Sequence, residues 1–241
     1  MIDFEPKYIT FDMHGTLIRW QLAAMTRTLL ADVVPADQMD DFIKSFKWQR
    51  LDEVLGPWKP FSEVIHDSLR KTLERFELPY READGQAIVD AVPTWGPYPE
   101  VPDALRALAS RYPLVILSNA ADSQVMSNVE KLGAPFHAVY TAEQAQAYKP
   151  RHQAFEYMFD QLGCGPKDVL HVSASPRYDL MVANDLGITH KVHVNRGLEP
   201  STPGYGYHEV NLLSQMPPLL GIRTGEGPVR GRLPQLEYPI T

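Results

Sequence analysis

Tyr8-Ile9-Thr10-Phe11-Asp12-Met13-His14-Gly15-Thr16-Leu17 is the stretch around which the rest of the chain is organised. Its apolar, β-branched first half predicts a buried strand that brings Asp12 to the carboxyl end of an open α/β sheet, where such sheets bind ligands. Gly15 permits the tight turn that follows, and the Thr16 hydroxyl can cap that turn or bind an anion. Asp12 is therefore either a covalent nucleophile or only the cap of the next helix.

The composition predicts a cytoplasmic protein with a packed core. The chain has 241 residues, 44% of them hydrophobic, and a net charge of −7, which suits one large or two unequal domains. The negative charge argues against nucleic acid or an anionic membrane as partner, but basic residues gathered locally can still bind a small anion. The single cysteine, Cys164, excludes an internal disulfide and fits a reducing compartment. We expect no signal peptide and no membrane span, because the amino terminus is charged and the apolar runs are short.

Residues 19–95 predict a helical segment inserted after the first strand. Apolar residues recur at helical spacing over 20–33, 36–55, 61–76 and a fourth stretch that ends at Pro93, and no strand pattern separates them. The proline-dense stretch 93–99 predicts the hinge by which the chain returns to the main domain.

After the hinge, helix and strand patterns alternate, which predicts a parallel sheet covered on both faces. The predicted fold is α/β, with a Rossmann-like parallel sheet formed by residues 1–18 and 96–222, a helical cap at 19–95 and a tail at 223–241. The tail is rich in Gly, Pro and Arg, and either wraps the surface, joins a subunit contact or is disordered. Strands are predicted at 113–117, 137–140, 169–173 and 189–194, and helices at 101–111, 121–132, after Pro150 and up to about 186.

Polar groups follow four of the predicted strands. Each has a structural explanation by itself, since Ser118 can cap a helix, Lys149 can be a surface lysine and Asp179 can be a charge on a helix surface. The carboxyl ends of parallel strands meet at one edge, so we expect these groups to converge on one cavity. They are Asp12, Ser118 with Asn119, Lys149, and the run from Ser173 to Asp179.

In these motifs the chain resembles the haloacid dehalogenase superfamily. The likeness covers about residues 7–220 and implies an α/β core with an inserted cap, although this fold hosts several reactions. The motifs are Phe11-Asp12-Met13-His14-Gly15-Thr16-Leu17, Leu117-Ser118-Asn119-Ala120, Tyr148-Lys149-Pro150 and His171-Val172-Ser173-Ala174-Ser175-Pro176-Arg177-Tyr178-Asp179.

Two departures from the superfamily pattern bear on the reaction. Magnesium-dependent phosphatases of the superfamily usually carry a second aspartate where this chain has His14, and an acidic residue where it has Ser173 to Ser175. Losing carboxylates weakens a Mg²⁺ site, so the chain is more similar to the metal-independent L-2-haloacid dehalogenases. An aromatic residue usually occupies the His14 position in that branch. His14 then lines the leaving-group pocket, acts as an acid or base, or fills the space of a tyrosine.

The resemblance implies that Asp12 attacks a small anionic 2-haloacid and that water hydrolyses the resulting ester, without a metal or other cofactor. It implies that Lys149 keeps Asp12 ionised and positions the water together with Asp179. It also suggests a homodimer. The candidates for binding substrate or halide are Ser118, Asn119, Thr16, His14, Ser175 and a cap arginine, for which Arg50 is the best placed.

Several points stay open in the sequence. Arg50 is alternatively a solvated helix arginine paired with Asp52, Glu53 or another exposed acid. Phe155 stands where this branch often has a tyrosine, so the hydroxyl would pass to Tyr148 or Tyr178. An apolar wall for the halogen is predicted from Trp20, Trp48, Trp58 and Phe61, which could equally be core residues.

Two further hypotheses compete with the dehalogenase. One is a Mg²⁺-dependent phosphatase or phosphonate hydrolase that holds the metal through Asp12, Asp179 and a backbone carbonyl. The other is a non-catalytic member whose core serves binding or assembly.

Overall fold

A computed structural model describes residues 1–223 of the chain, so the predicted tail lies outside the described residues apart from Arg223. Six parallel strands form one sheet in the order β3-β2-β1-β4-β5-β6, and the first strand therefore lies in its interior. The chain turns from one side of β1 to the other between β3 and β4, which makes the edge beside β1 a topological switch point. The strands are β1 (Tyr8–Phe11), β2 (Leu114–Ser118), β3 (Ala138–Thr141), β4 (Val169–Ser173), β5 (His190–Val194) and β6 (His208–Val210).

Helices separate these strands as predicted, and five of them lie between β1 and β2. The α/β fold with helices inserted after the first strand is thus confirmed. The first helix is shorter than the predicted 20–33, because the chain turns away after Leu29, before Pro35. The helices are α1 (Leu22–Leu29), α2 (Met39–Leu55), α3 (Phe61–Arg75), α4 (Glu82–Ala91), α5 (Val101–Ala109), α6 (Asp122–Leu132), α7 (Ala142–Ala145), α8 (His152–Leu162), α9 (Met181–Asp185) and α10 (Met216–Leu219).

The outgoing and returning chains run side by side at the ends of the helical insert. The Arg19 N–H donates to the Gly96 carbonyl at 2.9 Å, and the Tyr98 N–H donates to the Leu17 carbonyl at 3.1 Å. The division into a core and a cap at these positions stays a prediction. The strand β6 was not predicted, because it has only three residues and two of them are exposed.

Alternating strand residues build an apolar layer on each face of the sheet. Phe11 and Ile116 belong to the larger layer, which continues without a break into Phe46 of α2 and Ile65 of α3. The other face is covered mainly by α8, where Phe155 is fully buried. Because both faces are occupied by packing, the exposed chemistry is left to the carboxyl edge of the strands. None of the helices within residues 1–223 is long and apolar enough to cross a membrane.

Candidate active site

Asp12 directly follows β1 and is only 8% exposed. The Thr16 hydroxyl donates to Asp12 Oδ2 at 2.6 Å and accepts from the Ala174 N–H at 2.8 Å. Thr16 therefore orients Asp12 from within the turn, and it does not line the cavity described below. Gly15 has φ of +96°, and a Cβ at that position would lie 3.2 Å from the Leu198 side chain, so the turn requires glycine.

Lys149 links the two carboxylates of the site. Its ammonium nitrogen lies 2.9 Å from Asp12 Oδ1, 2.8 Å from Asp179 Oδ1 and 2.7 Å from the Leu117 carbonyl. These three acceptors use all three donors of the ammonium group. The Asn119 side chain fixes the lysine backbone, because its oxygen accepts from the Lys149 N–H and its amide donates to the Lys149 carbonyl, both at 2.8 Å. One N–H of the Asn119 amide is left over for a ligand.

Asp179 is held from the opposite side by a histidine inside the sheet. His171 Nε2 lies 3.1 Å from Asp179 Oδ1 and must donate, since a carboxylate only accepts. His171 Nδ1 lies 2.8 Å from the hydroxyl of Thr10 on the neighbouring strand, its direct partner in the strand register. The other carboxylate oxygen, Asp179 Oδ2, is buried without a hydrogen-bond partner among residues 1–223. It can therefore accept a hydrogen bond from a water molecule or a ligand.

Asp12 and Asp179 share Lys149, but their pKa values shift in opposite directions. Burial raises the pKa of Asp12 above its ordinary value and the negative charge of Asp179 adds to this, whereas Lys149 opposes it. Burial would also raise the pKa of Asp179, but the Lys149 charge and the His171 hydrogen bond outweigh it and hold that pKa below its ordinary value. The two carboxylates raise the pKa of Lys149 despite its burial. On acidification, Asp12 is thus the first of the three to change its charge.

His14 lines the cavity as a neutral ring. Its Nε2 lies 3.1 Å from Asn128 Oδ1, and the Asn128 amide donates to the carbonyls of Val92 and Trp95. Because the amide is committed to those carbonyls, its oxygen faces His14, and His14 Nε2 must carry the proton. Burial lowers the pKa of His14 to about 4. At neutral pH, His14 Nδ1 is therefore an unprotonated acceptor.

Arg50 projects from α2 into the cavity without a carboxylate partner. Its guanidinium lies 5.4 Å from the ring centres of both Trp20 and Phe46, and Nε is buried without a hydrogen bond to any residue of the described chain. The pairing with Asp52 or Glu53 considered from the sequence is absent from residues 1–223, where Glu53 instead binds Lys59 and Lys71. Burial lowers the pKa of Arg50, but a guanidinium stays charged. It is thus a buried cation available to an anion.

These side chains surround one cavity of about 270 Å³ between the sheet edge and the inserted helices. Of the predicted site residues, it brings together Asp12, His14, Arg50, Asn119, Lys149, Ser175 and Asp179, but not Thr16 or Ser118. Ser118 is 1% exposed, and its hydroxyl has no partner among residues 1–223. The Ser175 hydroxyl accepts from the Tyr178 N–H and donates to Glu199, so it also caps the π-helical turn that carries Asp179.

The aromatic candidates divide between the cavity and the packing around it. Trp20 and Phe61 line the cavity, whereas Trp48 and Trp58 do not. Tyr178 is a lining residue as well. Tyr148 is not, and its hydroxyl donates to the Lys59 carbonyl. Tyr178 is therefore the better placed of the two tyrosines to replace the hydroxyl missing from Phe155.

Sequence reasoning missed four residues that hold the site together. Thr10 and His171 are polar side chains inside otherwise apolar strands, and such an interruption of a buried strand is the signal that could have identified them. Asn128 accepts a hydrogen bond from His14, and Glu199 accepts one from Ser175 at the cavity wall. Neither residue carries a comparable signal in the sequence. Their roles depend on contacts between segments far apart in the chain.

The side chains of the site supply few free ligands for a divalent cation. Within residues 1–223, no three His, Cys, Asp or Glu side chains are grouped so that they could hold a metal ion. Both oxygens of Asp12 already accept hydrogen bonds, from Thr16 and Lys149. Asp179 Oδ2 is the one unpartnered carboxylate oxygen of this pair. Mg²⁺ prefers a near-octahedral set of oxygens, and this pair supplies one carboxylate oxygen without a hydrogen-bond partner in the described part of the chain.

Comparison with known proteins gives one family. A family model described as haloacid dehalogenase-like hydrolase matches residues 6–187. Among curated proteins, (S)-2-haloacid dehalogenase 4A of Burkholderia cepacia is 27% identical over 223 residues, which cover 87% of this chain and 93% of the relative.

Two solved structures illustrate how widely this fold is shared. The L-2-haloacid dehalogenase of Xanthobacter autotrophicus, with chloropropionic acid covalently bound, has a TM-score of 0.72 at 20% identity and covers 90% of this chain and 99% of its own. The HAD-hydrolase YfnB of Bacillus subtilis, bound to magnesium, has a TM-score of 0.76 at 16% identity and covers 91% of this chain and 100% of its own. At these identities both similarities support the fold alone.

Proposed function

Because the chain belongs to the family of haloacid dehalogenase-like hydrolases, we propose that it hydrolyses the carbon–halogen bond of small 2-haloacids without a metal ion. The observation that carries the proposal is the arrangement of Asp12, Lys149 and Asp179. One buried ammonium group lies 2.9 and 2.8 Å from the two carboxylates, and no third acid completes a metal site within residues 1–223. The curated relative named as a 2-haloacid dehalogenase supports the same reaction.

The first step is displacement of the halide. An Asp12 oxygen attacks C2 of the haloacid on the side opposite the halogen, an ester bond forms, and the halide leaves with the bonding electron pair. A carboxylate is a weak nucleophile in water, but Asp12 is 8% exposed and largely stripped of hydration. The Lys149 charge lowers the pKa of Asp12 against the effect of burial and so favours the ionised nucleophile. Thr16 and Lys149 each bind one of its oxygens and so fix its orientation.

The second step is hydrolysis of the ester. Water attacks the Asp12 carbonyl carbon, the 2-hydroxy acid leaves, and a proton is released. Asp179 Oδ2 is the acceptor that suits this water, because it is buried, unpartnered within residues 1–223 and on the cavity wall. Arg50 is the cation that suits the substrate carboxylate or the departing halide. The neutral ring of His14 adds no negative charge to repel either anion.

We expect purified protein to release halide from L-2-chloropropionate in the presence of EDTA. Asp12→Asn should reduce this release by about 10³-fold or more, because the amide is a much poorer nucleophile. Asp37→Asn is a matched control, since it makes the same charge change at an exposed position that does not line the cavity. Halide is measured by ion chromatography. In parallel, p-nitrophenyl phosphate is tested with Mg²⁺.

The two assays separate the competing functions. Mg²⁺-dependent phosphate release without halide release would identify a phosphatase, and the absence of both activities would favour a binding role. A single turnover in ¹⁸O-labelled water tests the ester itself. The hydroxyl oxygen of the product should be unlabelled, because it comes from Asp12. The labelled oxygen from water enters the Asp12 carboxylate. Labelled product in the first turnover would show direct attack by water.

A further inference from the structure

The cavity has two chemically different ends. Its polar groups are concentrated at the sheet edge, around Asp12, Lys149 and Asp179. The end formed by α1, α2 and α3 is lined mainly by apolar side chains, and its two charged side chains are Arg50 and Lys47, of which Lys47 is paired with Glu199. We call this end the apolar pouch, and its wall is formed by Leu22, Ile43, Phe46, Val54, Val64 and Ile65. An amphipathic cavity of this kind matches a ligand with one charged and one apolar end.

The size of the cavity exceeds what the shortest haloacids fill. At about 30 Å³ for each water-sized group, a cavity of about 270 Å³ takes on the order of nine non-hydrogen atoms. Chloroacetate and 2-chloropropionate are clearly smaller, whereas 2-chlorohexanoate reaches that size. With a short substrate bound at Asp12, water would fill the pouch. The apolar walls would offer that water few hydrogen-bond partners.

One polar group in the pouch is also without a partner. Thr26 lines the cavity, is fully buried, and its hydroxyl has no hydrogen bond to any of residues 1–223. A buried hydroxyl without a partner destabilises its surroundings. The other polar wall residues on this side are Lys47, which is paired with Glu199, and Arg50, and neither forms a hydrogen bond with the Thr26 hydroxyl.

Resting on the dehalogenase function proposed above, we propose that the apolar pouch binds the alkyl chain of the substrate, so that medium-chain 2-haloalkanoates are preferred over the two- and three-carbon acids. The carboxylate and C2 stay at the sheet edge beside Arg50 and Asp12. The chain from C3 onward extends between α1, α2 and α3.

The test compares (S)-2-chlorohexanoate with (S)-2-chloropropionate. Each methylene buried in the pouch should raise kcat/KM about three- to fourfold, and we therefore expect the hexanoate to be favoured at least about tenfold. Ala23→Phe should abolish most of that preference, because Ala23 lies on the cavity wall and the larger ring fills the pouch from α1. Ala24→Phe is the matched control. It adds the same ring to the next residue, which is exposed like Ala23 but does not line the cavity.

Thr26→Val provides a second variant of nearly unchanged volume. It replaces the unpartnered hydroxyl by a methyl group, so the preference for the hexanoate should stay the same or rise about two- to threefold. A fall in the preference would mean that the Thr26 hydroxyl binds a polar group at the far end of the substrate. That result would contradict binding of an alkyl chain in the pouch.

Binding of the halogen-free acids makes the inference testable without turnover. By calorimetry, hexanoate should bind at least about tenfold more tightly than propionate, and Ala23→Phe should remove the difference. Equal binding of hexanoate and propionate, or equal kcat/KM for the two haloacids, would contradict binding of the alkyl chain in the pouch. The proposed dehalogenase function would not be affected. Tighter binding of hexanoate without halide release from either substrate would overturn the dehalogenase function and keep the pouch as an alkyl site.

Discussion

At the scale of single residues, His14 is a histidine that the surrounding packing keeps neutral. Its ring packs against both Trp20 and Trp95, whose ring centres are 5.9 and 6.2 Å away, and it donates to Asn128. The aromatic neighbours remove water from around the ring and offer no negative charge. The neutral ring is therefore a consequence of packing, and it adds no charge to the cavity.

This packing should make stability depend on pH. The pKa of His14 is about 4 in the folded chain, and that of an unfolded histidine is about 6.5. As pH falls from 6.5 to 4, the unfolded state takes up the proton first, so the free energy of unfolding decreases over this window. The contribution between pH 7 and pH 5 is about 2 kcal/mol.

The measurement is urea unfolding at pH 7 and pH 5, for the parent protein and for His14→Gln, which keeps an N–H donor for Asn128 and does not titrate. The parent should lose about 2 kcal/mol more than the variant between the two pH values. Equal losses would show that His14 is not buried as a neutral ring.

At the scale of elements, α2 bridges the cavity and reaches the loop after β5. Lys47 forms an ion pair with Glu199 at 3.3 Å, and the Arg177 guanidinium lies 4.6 Å from the ring centre of Trp48. Glu199 also accepts from the Ser175 hydroxyl at 3.2 Å. The same contacts thus join the inserted helices, the loop after β5 and the turn that carries Asp179.

Breaking the Lys47–Glu199 ion pair should weaken substrate binding more than it lowers the free energy of unfolding. A partly exposed ion pair contributes at most about 1 kcal/mol. Where this free energy favours the cavity closed over its ligand, loss of the pair raises KM about two- to fivefold. Lys47→Met and Glu199→Gln should both raise KM in this range and speed hydrogen exchange in α2.

The two variants control for each other. They change the charge near the cavity in opposite directions, so a purely electrostatic effect on an anionic substrate would raise KM in one and lower it in the other. Opposite effects on KM would therefore contradict a role of the pair in closure. Lys44→Met, at an exposed position one turn earlier on α2, should leave KM unchanged.

At the scale of the whole molecule, one apolar layer joins the inserted helices to the sheet. Phe46 and Ile65 of the insert and Phe11 and Ile116 of the strands belong to the same buried cluster. Separate domains usually meet through smaller and more polar interfaces. We infer that the insert does not gain stability independently of the sheet.

We therefore expect a single cooperative unfolding transition. The four tryptophans, at positions 20, 48, 58 and 95, all lie within the predicted cap, and their fluorescence reports on that segment, whereas far-ultraviolet circular dichroism reports on all helices and strands. The two urea unfolding curves should coincide. A fluorescence transition at lower urea would show that the insert unfolds first as a separate unit.

The sequence by itself determined the order of the main strands and helices, the position of Asp12 at the end of β1, and the convergence of Lys149 and Asp179 on one edge. These follow from local periodicity and from the geometry of parallel strands, which brings their carboxyl ends together. The short strand β6 gave no such signal, because a run of three residues has no measurable period.

Only the tertiary structure decided what each side chain contacts. That Asn119 holds the Lys149 backbone, that His171 donates to Asp179, and that Arg50 has no acidic partner within residues 1–223 are consequences of contacts between segments far apart in the chain. Which ring nitrogen of His14 carries the proton depends in the same way on Asn128, more than a hundred residues away. Periodicity fixes which face of an element is buried, but hydrogen-bond partners and charge states depend on distances that arise only when those faces pack together.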